Sequence, residues 1–316
     1  MKAVFLDIGT LGKEISSALL CTLPVEWKFF EETSPFQVKD RIANTEIVVT
    51  NKTVLTKEIL QNSCVKLICV SATGYNNIDV LAAHQLGICV CNIPGYSTPS
   101  VAQLVFTFML SLASNLISYV EDVRKGKWQK QSQFCFLDHP IIELSDKTLG
   151  IIGHGTLGKQ VAALAAAFGM QVLIATNPVS KKTQAGTLPL EEVLKSADFL
   201  TLHVPFTPHT KNLISRKELE LMKKTAFLIN TARGGIVNEQ DLADCLKNKQ
   251  IAGAAVDVLV NEPPQEGNPL LDPSLPNLLL TPHIGWGSIE SRKRLLTILH
   301  RNIAAFLQGT PTNLVH

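Results

Sequence analysis

The sequence lacks a marked excess of charge of either sign. Its 316 residues include 29 lysines and arginines and 27 aspartates and glutamates, which gives a formal net charge of +2. Proteins that bind nucleic acid or an anionic membrane by electrostatics carry a larger basic excess. We therefore expect neither a nucleic acid nor a membrane among the partners of this chain.

The seven cysteines lack the spacing of metal ligands. Cys89 and Cys91 alternate within a short apolar run, which places both side chains on one face of a strand. We expect packed, reduced thiols and no metal site, which suits a reducing cytoplasm. A signal peptide is also missing, since Met1 and Lys2 lead directly into a strand-like segment. The sequence thus predicts a cytoplasmic protein.

Charged side chains are absent from residues 101–120, a length that could span a membrane. A lipid-facing helix, however, has no need of polar residues at helical spacing. Six such residues form a weakly polar stripe in this segment: Gln103, Thr107, Ser111, Ser114, Asn115 and Ser118. We predict a long helix that is buried on most sides and lies partly in a subunit interface. A homodimer is therefore expected.

Short apolar runs alternate with helical stretches along almost the whole chain. They lack polar alternation, which is typical of parallel strands that helices cover on both faces. The predicted strands are residues 3–6, 47–50, 67–70, 88–91, 148–152, 172–175, 199–203, 226–230, 253–256 and 278–281. These strands are too many for one modest sheet, and the chain is long enough for two domains. We predict an α/β protein with two doubly wound parallel-sheet domains.

Two turn-rich stretches, 94–99 and 285–287, mark the predicted domain boundaries. The segment after the second stretch has the pattern of one helix that could return to pack on the first domain. Residues 1–98 and 287–316 would then form one domain. Residues 99–286 would form a second domain that is inserted into the first.

A glycine-rich turn, Gly153-x-Gly155-x-x-Gly158, follows the predicted strand 148–152 and precedes a helix rich in small residues. This context favours a dinucleotide-binding turn, in which the helix N-terminus offers N–H groups and a favourable dipole to phosphate. A near-echo follows the first strand, but there Asp7 occupies the place of the leading glycine. Its carboxylate would face the pyrophosphate and crowd the turn, so we assign the cofactor to the later turn.

The strand after this turn lacks the acidic residue that usually binds the ribose hydroxyls of NAD. Thr176 stands at that place instead. Without a carboxylate nothing repels a 2′-phosphate, and Thr176, Asn177, Ser180 and Lys181 or Lys182 could donate hydrogen bonds to one. We therefore favour NADP over NAD, and an NAD site with its lysines in solvent stays the alternative.

Arg233 is the candidate for binding an anionic substrate. It follows the predicted strand 226–230, and a guanidinium can bind carboxylate and carbonyl oxygens with two parallel hydrogen bonds. Gly234 and Gly235 come next, and we expect them to leave room for a ligand. A surface arginine beyond a strand is the alternative interpretation.

His283 is the candidate for proton transfer. It follows the predicted strand 278–281, at the sheet edge where open α/β proteins bind ligands. Glu262, on the loop after the preceding strand, could hydrogen-bond the ring, orient it and favour its protonated form. Such a histidine suits the proton donation that carbonyl reduction needs. His203, at another strand end, competes for this role but fits the wall of the cofactor site better.

The chain resembles the D-isomer-specific 2-hydroxyacid dehydrogenase family over essentially its whole length. The matching segments are 72–79, the glycine-rich turn, 203–205, 230–234, Asp257 with Glu262, and 282–284. Within the family it is most similar to the glycerate dehydrogenases and hydroxypyruvate (glyoxylate) reductases, through residues 133–136 and Trp286. The resemblance implies a Rossmann dinucleotide-binding domain inserted into a flavodoxin-like substrate domain.

The resemblance also implies roles for individual residues. Arg233 binds the substrate, His283 is the acid/base catalyst paired with Glu262, and Asp257 meets the nicotinamide amide. Backbone N–H groups around Thr73 hold the substrate carboxylate. The expected substrate contacts are Thr73, Gly74, Tyr75 and Trp286. The expected NAD(P) contacts are Gly153, Gly155, Thr156, Leu157, Gly158, Thr176, Asn177, His203, Val204, Pro205, Thr210, Thr231, Ala232 and Asp257.

By resemblance, the expected reaction is reversible reduction of a small 2-keto acid, of the hydroxypyruvate or glyoxylate class, to the D-2-hydroxy acid. Binding is expected between the two domains, with a closure that expels water. Specificity for D-lactate or phosphoglycerate stays open, as does a dinucleotide-sensing corepressor that keeps the same three catalytic residues. A formate dehydrogenase of the same fold would pair its histidine with glutamine, so Glu262 disfavours that activity.

Overall fold

The computed structural model describes residues 1–176 and 185–315. They form two compact units, which we call the first unit (residues 1–97 with 286–316) and the second unit (residues 98–285). These bounds differ by one residue from the predicted domain boundaries.

The first unit contains a parallel sheet with the strand order β2-β1-β3-β4-β5. Its strands are β1 (Lys2–Phe5), β2 (Glu26–Phe29), β3 (Ile47–Thr50), β4 (Leu67–Val70) and β5 (Cys89–Cys91). Its helices are α1 (Val38–Ile42), α2 (Lys57–Leu60), α3 (Val80–Gln85) and, last in the chain, α10 (Ile289–Leu307). Successive residues of β3 face opposite cores, since Val48 lies in one apolar cluster and Val49 in another. Both faces of the sheet are therefore buried, which explains why β3 lacks polar alternation.

The second unit contains a parallel sheet with the strand order β12-β11-β10-β9-β6-β7-β8. Its strands are β6 (Thr148–Ile152), β7 (Gln171–Ala175), β8 (Thr187–Leu188), β9 (Phe199–Leu202), β10 (Phe227–Asn230), β11 (Gly253–Val256) and β12 (Leu278–Leu280). Its helices are α4 (Thr98–Ala113), α5 (Leu116–Arg124), α6 (Thr156–Ala167), α7 (Leu190–Ser196), α8 (Arg216–Leu221) and α9 (Glu239–Lys247).

The two strand orders identify the two folds. The order 2-1-3-4-5 of the first unit is that of flavodoxin-like proteins. In the second unit the order reverses at β6, which has β7 on one side and β9 on the other, as in a Rossmann sheet. The predicted fold class is confirmed. In such sheets ligands bind beyond the carboxyl ends of the strands at the reversal, so a ligand site is expected beyond β6 and β9.

The prediction of one long helix over residues 101–120 is wrong. Helix α4 ends at Ala113 and α5 begins at Leu116, and the two are bent by 61°. Asn115 between them has a φ of 48°, a left-handed conformation that asparagine adopts more readily than most residues. Among the described residues no single helix is long and apolar enough to cross a membrane. The bent pair of α4 and α5 reaches that length and apolar composition only when the two helices are taken together.

The cysteines are all free thiols, and their burial varies. Cys89 and Cys91 pack on the same apolar cluster of the first unit, as their alternation predicts. The expectation of packed thiols is wrong for Cys21 and Cys64, which are exposed.

Candidate active site

The predicted catalytic residues of the second unit follow the carboxyl ends of neighbouring parallel strands. Arg233 follows β10, Glu262 lies on the loop after β11, and His283 follows β12. The glycine-rich turn follows β6, and His203 follows β9. Because these strands run parallel, their carboxyl ends share one edge of the sheet. The fold therefore brings the predicted cofactor turn and catalytic residues to the same edge.

The glycine-rich turn, which we call the Gly153 turn (residues 153–159), has close backbone approaches of the kind that are typical of dinucleotide-binding turns. Gly153 has a φ of +100°, and a Cβ atom there would lie 2.4 Å from the backbone oxygen of His203. A Cβ atom on Gly158 would lie 2.1 Å from the oxygen of Gly153. Next to Gly155 no atom lies within 4 Å of an added Cβ, and α6 begins one residue later, at Thr156. The turn is thus tight at its ends and open where a pyrophosphate would approach the helix N-terminus.

The near-echo, which we call the Asp7 turn (residues 7–13), is closed by the chain itself. The buried carboxylate of Asp7 accepts hydrogen bonds from the backbone N–H groups of Asn51, Lys52 and Thr53, at 2.7–3.0 Å. It also accepts from the hydroxyls of Thr50 and Thr53. The carboxylate that led us to assign the cofactor to the other turn thus holds the loop that follows β3.

Thr176 follows β7 at the place where an NAD enzyme carries an acidic residue. Its backbone N–H donates to the oxygen of Leu188 at 2.8 Å, and its hydroxyl donates to the same oxygen at 3.1 Å. The contact holds the end of β7 beside β8. The other predicted phosphate contacts, Asn177, Ser180, Lys181 and Lys182, lie outside the described residues.

His283 and Glu262 form a hydrogen-bonded pair. The Nδ1 atom of His283 lies 2.7 Å from Oε2 of Glu262, and the two side chains are 24% and 29% exposed. The other carboxylate oxygen, Oε1, accepts the backbone N–H of Leu259 at 2.9 Å, which fixes the orientation of the carboxylate. Because Nδ1 faces Glu262, Nε2 is the ring nitrogen that can exchange a proton with a substrate.

Asp257 holds residues on both sides of His283. Its carboxylate accepts hydrogen bonds from the hydroxyl of Thr281 at 2.6 Å and from the N–H groups of Ile284 and Gly285, each at 2.8 Å. His283 itself has a φ of 56°, a conformation that costs free energy for a residue with a side chain. The three hydrogen bonds to Asp257 stabilise that conformation. Sequence reasoning missed this role, because the donors lie 24 to 28 residues away in the chain.

Arg233 keeps most of its hydrogen-bonding capacity. Its Nη1 atom donates to the neighbouring oxygen of Ala232 at 2.7 Å, and within residues 1–176 and 185–315 the guanidinium pairs with no carboxylate. The side chain of Asn230 fixes the turn, since it accepts the N–H of Ala232 and donates to the oxygen of Arg233, each at 3.1 Å. An arginine held by its backbone and left without a carboxylate partner is suited to bind an anion.

The expectation that Gly234 and Gly235 leave room for a ligand is wrong. A Cβ atom on Gly234 would lie 2.0 Å from the backbone oxygen of Leu259, so the loop that carries Glu262 occupies that space. Gly235 has a φ of +79°, and a Cβ atom there would lie 2.8 Å from the ring of Phe206. These glycines permit close packing of the protein's own backbone beside Arg233.

His203 differs from His283 in its electrostatic environment. Its Nε2 atom lies 3.1 Å from the hydroxyl of Thr201, and its Nδ1 atom is shielded from solvent, without a hydrogen-bond partner among the described residues. The surrounding protein desolvates the protonated ring and lowers the pKa of His203 from 6.5 to about 3. A ring that stays neutral near pH 7 cannot act as the proton donor. His203 therefore fits the wall of the cofactor site, and His283 fits the acid role.

The remaining predicted cofactor contacts of this edge are mostly buried. Thr210 is fully buried, and its hydroxyl donates to the oxygen of Pro205 at 2.6 Å, so it shapes the loop after β9. Val204 and Ala232 are buried in the same apolar cluster. The hydroxyl of Thr231 is buried and has no hydrogen-bond partner among the described residues, as is the case for Nδ1 of His203. Two such polar atoms at one sheet edge are consistent with a bound polar ligand.

The predicted substrate contacts belong to the first unit. Thr73, Gly74 and Tyr75 follow the carboxyl end of β4, and the hydroxyl of Thr73 donates to the oxygen of Ile93 at 2.8 Å. Trp286 packs against an apolar cluster of the same unit. The backbone around Thr73 is therefore held firmly within the first unit.

A metal centre is not part of the described site. Within residues 1–176 and 185–315 no group of three or more His, Cys, Asp or Glu side chains could hold a metal ion. The polar groups at the edge of the second sheet are the Gly153 turn, the guanidinium of Arg233 and the hydrogen-bonded pair of His283 and Glu262.

Comparison with known proteins gives consistent matches. The family model described as D-isomer specific 2-hydroxyacid dehydrogenase, NAD binding domain, matches residues 106–285. The chain is 42% identical to the glycerate dehydrogenase of Methylorubrum extorquens, over 99% of this chain and 98% of that protein. It is 38% identical to the hydroxypyruvate reductase of Blautia hydrogenotrophica, over 89% of this chain and 88% of that protein.

The fold also matches solved structures. An acyclic imino acid reductase in complex with NADPH and D-Arg has a TM-score of 0.88 to this chain, with 31% sequence identity and 100% of both chains covered. The likeness thus extends over both units and beyond the segment that the family model matches.

Proposed function

We propose a function from one premise: the chain belongs to the D-isomer specific 2-hydroxyacid dehydrogenase family. It is an oxidoreductase, and we infer that it reduces a small 2-keto acid to the D-2-hydroxy acid with a nicotinamide cofactor. The substrate class is that of hydroxypyruvate or glyoxylate. Similarity to proteins named glycerate dehydrogenase and hydroxypyruvate reductase supports this class.

The observation that carries the proposal is the contact of 2.7 Å between Nδ1 of His283 and Oε2 of Glu262. The bound nicotinamide supplies a hydride, and the carbonyl oxygen of the substrate then requires a proton. His283 donates that proton from Nε2, while Glu262 orients the ring and stabilises its positive charge. Both side chains are partly exposed, so the proton can be replaced from solvent after each turnover.

Arg233 binds and orients the keto acid. Its guanidinium can donate parallel hydrogen bonds to the carboxylate and the carbonyl oxygen of a 2-keto acid. The positive charge also stabilises the negative charge that develops on the carbonyl oxygen during reduction. The absence of a carboxylate partner for Arg233 in the described part of the chain supports this role.

Each unit would bind a different part of the reacting complex. The second unit would bind the dinucleotide through the Gly153 turn, with the N–H groups at the start of α6 toward the pyrophosphate. His203 and Thr231 would lie along the cofactor, since Nδ1 of His203 and the hydroxyl of Thr231 are buried without a hydrogen-bond partner among the described residues. The first unit would bind the substrate carboxylate through backbone N–H groups around Thr73 and Gly74.

NADP is the proposed cofactor in preference to NAD. Thr176 brings no negative charge to the end of β7, where an NAD enzyme carries a carboxylate for the ribose hydroxyls. A 2′-phosphate would therefore meet no repulsion from this residue. Similarity to an imino acid reductase solved with NADPH supports the choice.

A homodimer is the proposed assembly. Five apolar side chains of α4 and α5 are exposed: Leu110, Leu116, Ile117, Val120 and Val123. Exposed apolar residues grouped in this way are typical of protein interfaces. The variant Ile117→Asp is expected to be monomeric in analytical ultracentrifugation, whereas the unchanged protein sediments as a dimer.

The function is tested with a matrix of 2-keto acids against NADH and NADPH, followed by absorbance at the wavelength of the reduced cofactor. We expect turnover of hydroxypyruvate and glyoxylate, with greater kcat/KM for NADPH. His283→Gln serves as the matched inactive variant and should still bind cofactor. Tight cofactor binding without reduction of any keto acid would instead favour a dinucleotide-sensing corepressor.

A further inference from the structure

The loop between β11 and Glu262, residues 257–262, is held near its middle by the carboxylate of Glu239. Glu239, the first residue of α9, accepts the backbone N–H of Val260 on Oε1 at 2.7 Å. Its other oxygen, Oε2, accepts the side-chain N–H of Asn268. One carboxylate therefore links the start of α9 to Val260 and Asn268, which lie on either side of Glu262 in the chain.

The peptide group that Glu239 holds also lies directly against Gly234. A Cβ atom on Gly234 would lie 2.0 Å from the oxygen of Leu259 and 2.4 Å from the nitrogen of Val260. Gly234 is the residue after Arg233, so this peptide is in contact with the segment that carries the proposed substrate arginine. A movement of this peptide would therefore displace the backbone next to Arg233.

The same peptide group begins at the residue that orients Glu262. Leu259 donates its N–H to Oε1 of Glu262 at 2.9 Å, and Oε2 of Glu262 contacts Nδ1 of His283 at 2.7 Å. A continuous series of contacts thus runs from Glu239 to the Leu259–Val260 peptide, to Glu262 and to His283. A shift of less than an ångström in a catalytic group is sufficient to slow a proton transfer.

We propose that Glu239 is a positioning residue for the reaction: it fixes the Leu259–Val260 peptide, and through it the carboxylate of Glu262 and the ring of His283. The inference rests on the proposed function, in which His283 donates the proton. Glu239 touches neither the substrate nor the cofactor in this scheme. Its loss should lower kcat and leave cofactor affinity unchanged.

The hydrogen bond between Glu239 and Asn268 allows a test by exchange of donor and acceptor. The side-chain oxygen of Asn268 accepts the N–H of Leu270 at 2.9 Å, so its amide nitrogen must face Glu239. Glu239→Gln leaves one acceptor oxygen for two donors, the N–H of Val260 and the amide of Asn268, and Asn268→Asp places two carboxylates against each other. The combined variant Glu239→Gln/Asn268→Asp restores one donor and one acceptor and also restores the net charge.

The measurements are kcat for keto-acid reduction, the solvent deuterium isotope effect on kcat, cofactor affinity by fluorescence and thermal stability. We expect each single variant to lower kcat on the order of tenfold and to raise the isotope effect, because misplaced groups slow the proton transfer. The combined variant should recover toward the unchanged protein. Glu266→Gln, which removes an exposed carboxylate between Glu262 and Asn268, should behave as the unchanged protein.

A structural role alone would give a different result. Single variants that melt at lower temperature, but retain kcat and the isotope effect of the unchanged protein, would overturn the proposal. Failure of the combined variant to recover would do the same.

A readout independent of turnover is the downfield proton resonance of the His283 ring N–H that faces Glu262. We expect it in the unchanged protein and in the combined variant, but not in the single variants. If the unchanged protein reduces no keto acid, the proposed function fails, and this resonance still decides the positioning of His283. Its persistence in both single variants would overturn the inference.

Discussion

Two turns in this chain share the sequence Gly-Thr-Leu-Gly-Lys, yet one is closed by the protein and the other is open. The Asp7 turn follows β1 and continues as a single 3₁₀ turn, Ile8–Leu11. The Gly153 turn follows β6 and continues as α6, twelve residues long. The shared five residues therefore do not determine whether a long helix forms after the turn.

The residue two positions before the shared sequence makes the difference. In the first unit it is Asp7, whose carboxylate accepts five hydrogen bonds from residues 50–53. In the second unit it is Gly153, which brings no side chain and allows the backbone of His203 to approach. A carboxylate at this position recruits the protein's own N–H groups, whereas a glycine leaves the helix N-terminus available to a ligand.

The contrast extends along the edge of the second sheet. Besides the open Gly153 turn, this edge carries the guanidinium of Arg233, which pairs with no carboxylate in the described part of the chain. It also carries the Nδ1 atom of His203, which is shielded from solvent and has no hydrogen-bond partner among the described residues. If these groups are kept for ligands, substitutions at this edge should change binding and catalysis. Substitutions in the Asp7 turn should change stability alone.

The largest effect is expected from Arg233→Ala. Loss of the guanidinium removes the proposed contacts to the carboxylate and carbonyl oxygens of the substrate. We expect kcat/KM to fall on the order of a thousandfold, which corresponds to about 4 kcal/mol of transition-state stabilisation. Steady-state kinetics measure this loss. Arg216→Ala is the matched control, since Arg216 pairs with Asp241 and Asp244 on the surface of the same unit; equal kinetics for both variants would remove Arg233 from the site.

The positions of the strands could be predicted from the sequence, because a buried parallel strand is a local apolar run. Each predicted strand overlaps a strand of the structure. The prediction missed two edge strands, the two-residue β8 and β2. In β2, Glu26 and Lys28 are exposed while Trp27 and Phe29 are partly buried. A search for uninterrupted apolar runs does not find a strand with polar alternation.

The contacts that hold the site could not be predicted in the same way. Arg233, Glu262 and His283 can be identified because each follows a predicted strand, and the sheet brings strand ends together. The donors to Asp7 lie 43 to 46 residues away, and the residues that Glu239 holds lie 21 and 29 residues away. No local pattern pairs groups at such distances, so the sequence alone predicts neither the role of Asp7 nor that of Glu239.

The direct test of the two turns is a pair of matched substitutions, Gly155→Ala and Gly9→Ala. Nothing lies within 4 Å of a Cβ atom added to Gly155, so that variant should fold normally but obstruct the pyrophosphate. We expect cofactor binding weaker on the order of a hundredfold, about 2.7 kcal/mol, in a fluorescence titration.

Gly9→Ala should show the opposite behaviour. Its added Cβ atom would lie 2.7 Å from the backbone oxygen of Glu31, so the variant should lose stability by roughly 1–3 kcal/mol. Cofactor affinity should stay as in the unchanged protein. If Gly9→Ala weakened cofactor binding and Gly155→Ala did not, the assignment of the two turns would be reversed.

His203 should make the protein sensitive to acid. Its pKa is lowered to about 3 in the folded protein by desolvation, below the ordinary value of 6.5. As the pH falls below 6.5, the unfolded chain takes up a proton that the folded protein excludes, so stability decreases until the pH reaches the folded pKa. At pH 5 this linkage amounts to about 2 kcal/mol.

The variant His203→Gln lacks that titrating group. It should lose less stability than the unchanged protein when chemical denaturation is compared at pH 7 and pH 5. Because all other titrating groups are common to both proteins, the difference between the two losses isolates His203. Equal losses would mean that the ring is more accessible to solvent than the structure indicates.

The smallest effect concerns Thr176, and it tests whether a carboxylate at the end of β7 disfavours a 2′-phosphate. Thr176→Asp should lower the ratio of kcat/KM for NADPH to that for NADH by about tenfold, because the charge disfavours a 2′-phosphate and accepts a ribose hydroxyl. Thr176→Asn, which also loses the hydroxyl contact to Leu188 but adds no charge, is the control. If the NADPH/NADH ratio changes in both variants, the cause is loss of the hydroxyl contact to Leu188. If the ratio is unchanged in Thr176→Asp, the proposed preference for NADP is contradicted.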